Sequence, residues 1–84
     1  YTGMHNSHYY YKGKLQKADR QSEYEAFDLP NIGIRLLDAS GKVVRNRKVK
    51  DSGDNEWKVA SNGEIVTWGN TSVNEVVEPG PIND

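Results

Sequence analysis

The chain has no cysteine, which removes a disulfide staple, thiolate chemistry and any cysteine-based metal site. Long apolar runs are also missing. Hydrophobic residues are 35% of the 84, and no stretch approaches the ~20 needed to cross a bilayer, so no membrane insertion is expected. Eleven Lys and Arg stand against twelve Asp and Glu, a formal net charge of −1. Such a balance argues against nucleic acid or an anionic membrane surface as a partner. Helical spacing is scarce, since apolar residues rarely recur at three-and-four intervals. There is no phosphate-cradling glycine loop and no motif that places a Ser-His-acid set, so no turnover enzyme is expected. His5 and His8 have no cysteine and no acidic partner nearby to build a metal site. The chain begins at Tyr1 rather than methionine, which reads as a fragment of a longer protein.

What is present is β-patterned. Strands are expected near 9–18, 32–38, 42–49, 55–60, 63–68 and 71–77, with turn residues between them. DASG at 38–41 and SNG at 61–63 suit hairpins, because glycine accepts positive φ and Asx side chains bond their own backbone. DRQSEYEAFDLPN, 19–31, reads as a long polar connection between sheets. The expectation is therefore an all-β, two-sheet antiparallel β-sandwich of immunoglobulin or prealbumin type. Residues 1–8 read as a flexible tail or linker, 9–78 as the single sandwich domain and 79–84 as a C-terminal linker.

Strand side chains alternate between faces, so parity assigns residues to core or solvent. Tyr9, Tyr11, Gly13, Leu15 and Lys17 share one face of the first expected strand, which places Lys17 on the apolar side. Ile32, Ile34 and Leu36 form a core-facing set, as do Trp57 and Val59. In the last strand Val73, Glu75 and Val77 share a face, so Glu75 also falls on the apolar side. A core-facing ammonium and carboxylate are costly unless paired or neutralised, which suggests that the two meet.

Lys17-Ala18-Asp19, LPNIGIRLLDASGKVV at 29–44, and Gly69, Glu75 and Pro79 together resemble the collagen-adhesin B-type (Cna B-like) domains of Gram-positive surface proteins and pili. The second of these stretches is shared with prealbumin-like modules and other extracellular sandwiches. Thr71 and Pro81 stand where that family's pattern has aromatic residues. The resemblance implies an intramolecular isopeptide bond, with Lys17 as the amine nucleophile and Glu75 as the catalytic acid. Its amide or acid partner is open, since Asn83 and Asp84 lie in a tail with no strand pattern. An apolar pocket would neutralise the lysine, and a protonated carboxyl would polarise the acceptor carbonyl. The competing reading has Lys17 lay its stem on apolar surface with its ammonium in water, and Glu75 serve as an edge-strand charge against aggregation.

Three weaker constellations remain. Asp51, Asp54, Asn55 and Glu56 offer oxygen ligands for calcium, or else form a solvated acidic turn; no other cofactor is implied. Trp68 and Tyr10 are the aromatics best placed for exposed ligand binding, whereas Trp57 shares a face with Val59. RNRKVK, 45–50, reads as a solvated face. The resemblance implies a structural or adhesive module of a larger secreted or cell-surface bacterial protein, monomeric and extracellular. Its partners would be neighbouring domains of the same polypeptide and a host matrix protein or glycan. The alternative is a carbohydrate- or ligand-binding accessory module of an extracellular enzyme, working through Trp68 and Tyr10.

Overall fold

A computed structural model describes residues 1–80. Nine strands follow one another: β1 (Gly3–His5), β2 (His8–Tyr11), β3 (Lys14–Leu15), β4 (Tyr24–Leu29), β5 (Gly33–Asp38), β6 (Arg47–Lys50), β7 (Glu56–Val59), β8 (Ile65–Thr67) and β9 (Val73–Glu75). The protein is all-β, and no helix forms among the described residues. The strands lie in three three-stranded sheets, ordered β1-β2-β3, β5-β4-β9 and β6-β7-β8.

Two-residue turns build the first sheet. Asn6 and Ser7 (φ 51° and 67°) join β1 to β2, and Lys12 and Gly13 (φ 51° and 85°) join β2 to β3. Positive φ at both central positions matches the right-handed twist of the flanking strands. The expected strand 9–18 is therefore two strands folded back at Lys12-Gly13. Residues 3–8, read as tail, belong to the opening hairpin, and Met4 packs against the core.

β4 lies at the centre of the middle sheet, within the stretch read as a connection. It pairs antiparallel with β5 from Tyr24↔Asp38 to Leu29↔Gly33, and parallel with β9 through Phe27↔Asn74. Apolar residues occupy both of its faces, which removes the alternation that would have marked it as a strand. Ala26 joins Leu36, Val49, Trp57 and Val59 in one cluster; Phe27 and Leu29 join Tyr9, Leu37 and Val43 in the other. The middle sheet thus has a core on each face.

This double burial corrects the parity assignments. Leu36 and its neighbour Leu37 are both fully buried, while Ile34 is 37% exposed. Trp57 and Val59 are buried as expected. The last strand turns the other way: Val73, Glu75 and Val77 are exposed, and Asn74 and Val76 are half-buried. Lys17 is exposed as well, because the turn at 12–13 shifts the phase and buries Gln16 and Ala18 instead. Pro81, Asn83 and Asp84 lie outside the described residues.

Candidate functional site

The most heavily bonded side chain is Asp51, which begins the loop between β6 and β7 and is only 8% exposed. Its Oδ1 accepts from the backbone N–H groups of Gly53 (2.9 Å) and Asn55 (3.0 Å) and from Asn55 Nδ2 (3.1 Å). Its Oδ2 accepts from Trp57 Nε1 at 3.1 Å and from Asn55 Nδ2 at 3.2 Å. Burial alone would push this carboxyl up. The Trp57 indole, the Asn55 backbone and side-chain amides and the Gly53 N–H outweigh burial and hold it below the ordinary aspartate value. Trp57 is itself fully buried, so its indole N–H has to be matched inside the fold.

Gly69 completes this arrangement. A Cβ there would fall onto the Trp57 indole, so only a glycine lets the chain after β8 lie against the ring. Trp68 leans on Trp57 from the same segment, centroids 5.9 Å apart and planes at 49°.

The second buried polar side chain, Gln16, braces the other end of the molecule. Its Oε1 accepts from Val77 N at 2.8 Å and its Nε2 donates to Val77 O at 3.0 Å, so the carboxamide acts as one rung of a β-ladder for the segment after β9. Nε2 also donates to Lys14 O at 3.1 Å, and the exposed pair Lys12–Glu78 (3.1 Å) adds a surface tie. Gln16 and Asp51, the two buried polar side chains among the described residues, thus both fasten chain segments.

Lys17 and Glu75 are brought to the rim of one shallow depression, which Glu25 and Asn74 also line. Both are solvent-exposed rather than core-facing. The bonded pair at this place is Asn74 Nδ2 donating to Glu25 Oε1 at 2.5 Å, across the β4–β9 seam. The four oxygen-bearing residues of the acidic loop do not form one cage. Asp51 turns inward, Asn55 donates to it, Asp54 pairs with Lys50 at 3.3 Å, and Glu56 pairs with Lys48 at 3.1 Å. Those two lysines come from RNRKVK, whose Arg47, Lys48 and Lys50 are exposed on β6. Trp68 is 40% exposed and Tyr10 is half-buried on β2, in a different sheet, so the two do not share a strand platform.

A polar cleft of about 400 Å³ lies beside the Asp51 loop, bounded by Ser22, Tyr24 and Glu25 on one side and Asn70, Ser72 and Asn74 on the other. Sequence reading singled out none of these six; the only signal was the density of Asn and Ser in GNTSVN, 69–74. Gln16 was likewise missed, because its parity pointed it to solvent. No family model, curated protein or solved structure matches this chain.

Proposed function

We propose that this chain is a non-catalytic structural or display module of a larger secreted or cell-surface protein, spacing neighbouring domains and resisting proteolysis. The observation that carries this reading is the use of the two buried polar side chains: Asp51 and Gln16 both act as braces, one on Trp57 and one on Val77. Among the described residues no buried side-chain nitrogen or oxygen lacks a hydrogen-bond partner, so the buried polar chemistry goes into holding the fold. Apolar clusters on both faces of the middle sheet support a packed all-β module. The resemblance of 29–44 to the collagen-adhesin B-type pattern supports a bacterial surface setting, and that stretch here forms a turn, β5 and the Asp38 hairpin loop.

In this reading the module works without a covalent crosslink. The exposed positions of Lys17 and Glu75 favour solvated surface side chains over an isopeptide pair. Intact mass combined with limited trypsin digestion tests both halves. The mass is expected to equal that of the sequence, with cleavage confined to the chain ends. A mass lower by one ammonia or one water would establish the crosslink instead. Rapid internal cleavage at native pH would contradict a protease-resistant module.

A further inference from the structure

The cleft beside the Asp51 loop carries chemistry that a pure spacer does not require. We propose that it is a binding site for a neutral saccharide, held by amide and hydroxyl groups around Tyr24. Among the described residues no Lys, Arg or His lines it, so no cationic side chain is there to pair with a phosphate, sulfate or carboxylate ligand. Its two carboxylates are already engaged: Asp51 by Trp57, Asn55 and Gly53, and Glu25 by Asn74 and the Asp19 N–H. A cation at Asp51 would have to displace those donors, and among the described residues no group of three or more His, Cys, Asp or Glu side chains gathers to hold a metal.

What those lining residues leave unused is neutral and mixed. Among the described residues, the hydroxyls of Ser22, Tyr24 and Ser72, the side-chain carbonyls of Asn55 and Asn74, and the Asn70 Nδ2 take part in no hydrogen bond. Those groups combine donors and acceptors, as a ring of sugar hydroxyls requires. The frame that holds them is fixed. Ser52 Oγ donates to Gln21 O and Ser52 N to Ser22 O at 3.3 Å, clipping the Asp51 loop to the 19–23 turn. Asn70 Oδ1 accepts from Ser72 N at 2.9 Å, and Asn74 is held by Glu25, so the amides are oriented before a ligand arrives. The Tyr24 ring, packed against the Trp57 cluster, adds a half-buried amphipathic surface for a sugar ring. This inference goes beyond the module reading: a saccharide site can fail while the braced module stands, and the reverse.

The test is a ¹H–¹⁵N NMR titration of the intact chain with maltotriose, cellotriose, mannotriose and triacetylchitotriose, using sialyllactose as an anionic control. The expected result is saturable shifts from at least one neutral trisaccharide below about 10 mM, centred on the 22–24, 52–55 and 70–74 amides. Sialyllactose is expected to bind more weakly. Asn70→Asp keeps the oxygen that accepts from Ser72 but loses the NH₂ donor, and Tyr24→Phe keeps the ring but loses the hydroxyl. Each is expected to weaken binding about fivefold with the rest of the spectrum unchanged. No saturable shift from any of the four sugars overturns the proposal. So do shifts centred on Trp68 or Tyr10, or unchanged affinity in both variants.

Discussion

Two hairpin loops of this protein share one backbone and differ in what their first residue reaches. In DASGK (38–42) and DSGDN (51–55) the aspartate Oδ1 accepts from the N–H groups two and four positions on. Each aspartate C=O also accepts from the N–H three positions on, and each aspartate N–H donates to the C=O four positions on. The residue before the last is left-handed in both, Gly41 at φ 92° and Asp54 at 65°. Asp38 stops there, adding only the Ser40 hydroxyl at 2.7 Å. Asp51 continues inward to Trp57. The same local motif therefore serves as a turn in one place and as an anchor between loop and core in the other.

The sharpest way to break this comparison is to remove both carboxylates. Asp51→Ala leaves the buried Trp57 N–H unmatched and is expected to cost about 3 kcal/mol, while Asp38→Ala costs about 1 kcal/mol, because its donors can turn to water. Urea unfolding of the two variants measures the gap, and equal losses would dissolve the distinction. The left-handed positions separate the loops next. A Cβ on Gly41 would sit 2.9 Å from both Gln16 O and Leu15 Cδ1, so Gly41→Ala should cost about 2 kcal/mol. Asp54→Gly relieves its left-handed backbone and loses only an exposed ion pair, so it should be neutral or stabilising by about 0.5 kcal/mol in the same assay.

Acid sharpens the comparison further. Burial opposes ionisation at both aspartates, but their loop donors prevail and hold both carboxyls below the ordinary value. A folded value below the unfolded one means that this stability is complete above about pH 4 and is lost as pH falls through the lowered folded value. Asp51→Asn and Asp38→Asn should each flatten the acid limb of a stability-against-pH curve. The smallest effect belongs to the surface: Lys48→Ala, which removes the pair with Glu56, should change the thermal midpoint by the equivalent of no more than about 0.5 kcal/mol.

How much of this was legible in the chain depended on whether one face of a strand stayed wet. β7 shows Trp57 and Val59 inward with Glu56 and Lys58 outward, and its alternation could be read directly. β4 could not be recognised, because Ala26 and Phe27 enter different cores and Glu25 and Asp28 interrupt both patterns. Lys17 was misplaced for a different reason: a two-residue turn with Lys12 at positive φ looks like continuing strand, and it moves everything after it out of phase. DSGDNEW carried its aspartates openly, but whether a carboxylate gathers N–H donors or a cation depends on what folds against it. Here a tryptophan six residues on does so.

Asp51 holds Trp57 as a brace of the fold, and hydrogen exchange at the two indole N–H groups tests that directly. Trp57 is fully buried and bonded to Asp51, while Trp68 is 40% exposed, so they are probes in one spectrum. The Trp57 indole is expected to exchange only through global unfolding, its protection tracking urea stability, and the Trp68 indole to exchange far faster. In Asp51→Ala the Trp57 protection should collapse by more than the loss of global stability explains. Trp57 exchanging as fast as Trp68 in the wild-type chain would contradict the brace.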